Sequence, residues 1–65
     1  MIILYTTHCP KCRVVEMKLK QKNIPYIENT DVNEMLALNI HSAPALKVDD
    51  SIYEFKEAID WINKN

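Results

Sequence analysis

Two cysteines, Cys9 and Cys12, are the only ones in the chain's 65 residues. They lie in Thr7-His8-Cys9-Pro10-Lys11-Cys12, between an apolar run and a basic segment. A Cys-x-x-Cys where a strand feeds a helix is the context that predicts dithiol redox chemistry. The spacing places Cys9 at the helix N-cap, beside unpaired backbone N–H groups and the positive end of the macrodipole. That field favours the thiolate, which is the nucleophile. Cys12 falls one turn later, in reach of a mixed disulfide on Cys9. Pro10 suits the first helical position, where its missing N–H costs nothing. Lys11 adds a nearby cation, so Cys9 is expected to be the low-pKa thiol and Cys12 not.

The same pair is also half of a zinc site, but a tetrahedral site needs two more ligands. Only His8 and His41 are on offer, and His8 adjoins Cys9 too closely for joint chelation. The binding-class alternative is a protein holding a metal through Cys9, or an iron–sulfur cluster bridged between two chains. A purely structural staple is weaker, because so short a loop constrains little of the unfolded chain. Protonated His8 would enrich thiolate on Cys9. With no carboxylate in its own loop, it reads more readily as a solvated residue than as that activator, and His41 still more so.

The elements that must position these groups follow from periodicity and punctuation. Met1 to Tyr5 reads as a strand buried on both faces. Pro10 to Lys22 reads as a helix with Cys12, Val15 and Leu19 on one face, flanked by Val14 and Met17. Glu16 and Lys20 have the spacing of an ion pair. Asn23 serves as the left-handed stop in a chain with no glycine, Ile24 supplies its apolar contact, and Pro25 prevents continuation. Tyr26-Ile27-Glu28 reads as a strand parallel to the first, joined by a right-handed crossover. Thr30, Asp31 or Asn33 caps a second helix, and Asp31 with Glu34 has capping-box spacing. Met35, Leu36 and Leu38 give it an apolar side, and Asn39 is again a stop. Ala45 to Val48 and Ser51 to Tyr53 flank Asp49-Asp50 as a hairpin. Phe55, Ala58, Ile59 and Ile62 mark a last amphipathic helix with Trp61 at its edge, and Asp60 with Lys64 has ion-pair spacing. The order β-α-β-α-β-β-α predicts an α/β domain over residues 1–65, with a mixed four-stranded sheet between helices.

Composition narrows the function. The chain is 48% hydrophobic and 26% charged, enough for one small core that buries about 60% of the unfolded surface. No run approaches the ~20 apolar residues of a membrane span, and a signal peptide has no room before the first strand. A cytoplasmic setting is expected, where paired cysteines are usually catalytic. Without glycine there is no phosphate-binding loop and no dinucleotide fingerprint. Net charge is −1, yet residues 11–22 carry a local +4. That basic helix suits an acidic partner or a carboxylate-bearing thiol, and reads equally as a solvated helix face. Nucleic acid is not an expected partner without a wider basic surface. The three methionines read as core fillers.

This element order resembles the thioredoxin fold, with Cys-x-x-Cys opening the first helix and Ser42-Ala43-Pro44 before the third strand. Cys9-Pro10-Lys11-Cys12 is similar to the Cys-Pro-Tyr-Cys site of dithiol glutaredoxins, with Lys in place of Tyr. The resemblance implies that Cys9 attacks and Cys12 resolves, making the chain a glutaredoxin-like thiol–disulfide oxidoreductase. It implies a cis Pro44 near the cysteines, and an Ala43 backbone that pairs with an extended substrate as an added strand would. His8, Pro10 and Lys11 complete the implied substrate-binding set. Two features depart from the family. Tyr53-Glu54-Phe55-Lys56 stands where glutaredoxins have a Gly-Gly turn and an acidic residue for glutathione, and Thr6-Thr7-His8 lacks the Lys often found before the first cysteine. No cofactor is expected to be tightly bound; glutathione or a thioredoxin reductase is the expected reductant. A disulfide-bearing protein such as ribonucleotide reductase is the expected substrate, and the chain is expected to be a monomer.

Overall fold

The computed structural model describes residues 1–65. Four strands and three helices alternate as β1 (Ile2–Tyr5), α1 (Pro10–Gln21), β2 (Ile27–Asn29), α2 (Val32–Ala37), β3 (Ala45–Val48), β4 (Ser51–Tyr53) and α3 (Phe55–Lys64). They form one mixed sheet in the order β2-β1-β3-β4. β1 pairs parallel with β2, Leu4 opposite Glu28, and antiparallel with β3, Leu4 opposite Leu46. β3 and β4 form the expected hairpin, with Asp49 at φ 54 in its turn. The second strand starts at Ile27 rather than Tyr26 and runs one residue further than read from the sequence.

Alternation along β1 sends side chains to two faces. Leu4 joins Val15 and Leu19 of α1, Leu46 of β3, and Ala58 and Ile62 of α3. Tyr5 joins Met35 of α2, Ile40 and Ala45 on the other side. Helices therefore cover both faces. The α1/α3 face holds the larger core. Burying each leucine there contributes roughly 1.5–3 kcal/mol. Only the second half of β1 is fully buried; Ile2 and Ile3 are half-exposed. Val14 and Met17 face solvent, and of the three methionines only Met35 is buried. Trp61 is half-buried at the core's edge and stacks on Tyr53 with ring centroids 6.5 Å apart. No helix is long and apolar enough to cross a membrane.

Both asparagine stops form. Asn23 and Asn39 take φ 55 and φ 61. After α1, the Ile24 N–H donates to Leu19 O and the Asn23 N–H to Lys20 O. After α2, the Ile40 N–H donates to Met35 O and the Asn39 N–H to Leu36 O. These are two Schellman closures, each satisfying carbonyls that the helix end would leave unpaired. Neither anticipated i,i+4 ion pair forms; the chain's salt bridges join only Met1 to Asp49, and His8 to Glu16 and Glu28.

Candidate functional site

The site is built where β1 ends and α1 begins. Thr6, fully buried, continues β1 by donating its N–H to Asn29 O at 3.0 Å. Its Oγ1 then accepts the His8 N–H at 3.0 Å. His8 takes the left-handed conformation at φ 60, which histidine tolerates better than most residues. That turn delivers Cys9 to the N-cap of α1 with Pro10 at the first helical position, as the sequence predicts.

Cys9 caps the helix through sulfur, accepting the Cys12 N–H at 3.2 Å. No acidic residue occupies the first turn to offset the helix dipole. Cys9 is partly exposed and Cys12 is buried; both are free cysteines. Their sulfurs lie 2.6 Å apart. Burial pushes the Cys12 thiol up, but hydrogen bonds from the Cys9 and Thr6 side chains and the Thr7 and Cys9 backbone more than offset it. The net result draws Cys12 down to about 7.

This corrects the expectation that Cys12 is not a low-pKa thiol. The two sulfurs contact one another at the helix start. What distinguishes them is access: Cys9 is the sulfur that an incoming disulfide can reach. Thr6 and Thr7 are the contributors that sequence reasoning missed. The Thr7 hydroxyl is 3.9 Å from the Cys12 sulfur. Two threonines at a strand end carry no signal beyond β propensity.

Opposite Cys9 lies the Ala43–Pro44 peptide, which is cis. The Cys9 sulfur is 3.9 Å from Ala43 O. Ala43 precedes β3, and none of the loop and cap backbone hydrogen bonds uses its N–H or carbonyl. Beside it runs a groove of about 500 Å³ that includes Lys11, Ala43, Pro44, Glu54, Phe55 and Lys56. The Lys11 ammonium sits 5.5 Å from the centre of the Phe55 ring, within cation–π range. Glu54 and Phe55 thus line the groove with a charged and an aromatic side chain.

Of the sequence-derived set, Cys9, Cys12, Ala43, Pro44 and Lys11 come together. Pro10 is exposed at the helix start. His8 is outside the groove lining, with its ring between Glu16 of α1 and Glu28 of β2, 3.7 Å from each. Its carboxylate partners come from elements rather than from its own loop. His41 lies on the approach to β3, beside a second, smaller recess. No third potential metal ligand joins the cysteines; the group of three converging ligand side chains is His8, Glu16 and Glu28. Compared with known proteins, the chain matches no protein-family model, no curated protein and no solved structure.

Proposed function

We propose that this chain is a small thiol–disulfide oxidoreductase with a thioredoxin-like, glutaredoxin-like architecture. One observation carries the reading: an accessible sulfur at a helix N-cap with a second, buried sulfur 2.6 Å behind it. The Cys9 thiolate attacks one sulfur of a substrate disulfide, forming a mixed disulfide and expelling the other substrate sulfur as a thiolate that takes up a proton. The Cys12 thiolate then attacks the Cys9 sulfur, closing Cys9–Cys12 and releasing the second substrate thiol. The substrate gains two electrons and the chain loses two. Ala43 suits an extended substrate beside Cys9, because its backbone groups are not committed to a strand.

The reductant that restores the dithiol is better met by a flavin-dependent reductase than by glutathione. Binding glutathione needs anchors for its two carboxylates. Close backbone approach at a glycine turn supplies one, and Glu54 and Phe55 occupy that region here. Losing a hydrogen bond to a charged group costs about 1.5–3 kcal/mol, roughly tenfold to a hundredfold in affinity. The test is a coupled assay of protein-disulfide reduction with either glutathione and its reductase or thioredoxin reductase. Turnover with the flavoenzyme, and weak turnover with glutathione, is expected. Glutathione efficiency equal to that of an ordinary dithiol glutaredoxin sinks the donor assignment, and no turnover with any thiol donor sinks the oxidoreductase itself.

A further inference from the structure

Away from the groove, the chain gathers a second set of chemically capable side chains that the redox reading does not use. His8, Glu16 and Glu28 come from the redox loop, α1 and β2, and one ligand atom of each lies within 4.8 Å of the others. The Glu16 Oε2 atom is fully buried and has no hydrogen-bond partner. The side chain as a whole is 16% exposed, and its Oε2 faces His8 Nδ1 at 3.7 Å, beyond hydrogen-bond distance. A buried carboxylate oxygen without a donor is costly, and no lysine or arginine bridges either glutamate. Arg13, three residues before Glu16 on α1, directs its Nε to the His8 carbonyl at 3.5 Å instead. The two carboxylates share one neighbourhood, since both fields help raise the Tyr26 phenol, after the larger effect of burial.

We infer that His8, Glu16 and Glu28 form a binding site for a divalent transition-metal cation of the zinc class. One imidazole nitrogen and two carboxylates suit a borderline ion rather than magnesium or calcium, which prefer all-oxygen shells. Three protein ligands leave a fourth position for water. Ligand atoms around zinc stand about 3.4 Å apart, so the cluster must tighten by up to about 1.4 Å, and the His8 ring, whose Nδ1 faces Glu16 and Nε2 faces Glu28, must turn to offer one nitrogen. His8 and Glu28 have the freedom for it, at 49% and 42% side-chain exposure. Glu16, held in place by burial, is the fixed ligand on which they close. Filling the site ties the left-handed residue before Cys9 to both α1 and β2.

The cysteines would compete for zinc, so the test starts from a Cys9→Ser/Cys12→Ala chain of native circular dichroism, titrated with Zn²⁺ in a calorimeter. One zinc per chain is expected. Glu28→Gln, on an exposed side chain, and His8→Asn, which keeps a residue tolerant of positive φ, should each weaken binding by roughly tenfold or more. A companion measurement avoids the cysteine substitutions. Co²⁺ added to the wild-type chain should give a d–d spectrum component without thiolate charge transfer, and Glu28→Gln should abolish that component. No saturable zinc binding overturns the inference. So does binding that both variants leave unchanged, or a cobalt d–d component that Glu28→Gln leaves unchanged.

Discussion

The starts of α1 and α2 use one device for opposite ends. Each places a side chain at the N-cap that accepts backbone N–H groups, and each helix closes on a left-handed asparagine. At α2 the cap is the Asp31 carboxylate, accepting from Asn33 N and Glu34 N at 2.9 and 3.3 Å. Asn29 completes it by accepting the Asp31 N–H and donating to Glu34. At α1 the cap is the Cys9 sulfur, with a single N–H donor, no acid in the first turn and a second thiol beside it. A carboxylate there would be permanently charged and inert. A thiolate gets the same stabilisation but remains a nucleophile, so the helix end that fixes structure at α2 can activate chemistry at α1.

Breaking the comparison at Cys9 has the largest effect. Cys9→Ser keeps a good N-cap, because the Ser hydroxyl accepts the same N–H, but it removes the nucleophile. Disulfide reduction should fall to background while the melting temperature stays near that of the reduced parent. Cys12→Ser should instead accumulate a mixed disulfide with substrate, visible as a mass adduct that Cys9→Ser never forms. An adduct on Cys12 in the Cys9→Ser chain would reverse the assigned roles.

The Cys12 proton gives a second, smaller handle. The reduced native chain releases it near pH 7, whereas an unfolded thiol holds it to about 8.5. Between those values the unfolded state binds more protons, so stability rises with pH. The contribution is complete above about pH 8.5 and is lost as pH falls through 7. It amounts to about 2 kcal/mol. The oxidised chain has no thiol to titrate, so the reduced-minus-oxidised stability difference should climb by that amount from pH 6 to 9. Denaturant melts of both forms measure it, and a flat difference would show that the helix start does not favour thiolate.

Much of this arrangement was legible in the sequence because its causes are local. A chain without glycine must stop helices on Asn23 and Asn39, and Pro10 two residues before Cys12 fixes where α1 begins. The capping box at Asp31 was only half right: Glu34 has the correct spacing, but its carboxylate accepts from Asn29, at the end of the preceding strand, instead of the Asp31 N–H. The same limit hid the surroundings of His8. Glu16 follows it by eight residues and Glu28 by twenty, and only the parallel pairing of β1 with β2 brings them together. Glu16 was read as the i,i+4 partner of Lys20 because spacing along one helix is visible in sequence. Convergence of three elements is not. The acidification of Cys12 was missed for a related reason, since beyond the Cys9 side chain it depends on hydrogen bonds from Thr6 and Thr7 that outweigh the opposing effect of burial.

Asp31→Ala sharpens the comparison from the structural side and has the smallest effect. Loss of an aspartate N-cap costs about 0.5–2 kcal/mol, and this one should fall toward the low end. Asn29 Oδ1 still accepts the N–H of residue 31 after the substitution, and Glu34 still holds Asn29 in place. Only the Asn33 and Glu34 N–H groups lose a partner, and both residues are exposed, so water replaces it. With α2 only six residues long, the local cost is not diluted along the helix. A fall of about 1 kcal/mol lowers the melting temperature of a domain this size by roughly 4–8 °C. Disulfide exchange should be unchanged, because α2 packs on the face of the sheet opposite α1 and α3. An exchange rate that drops with Asp31→Ala would mean that the two helix starts are coupled, and the division of labour between them would fail.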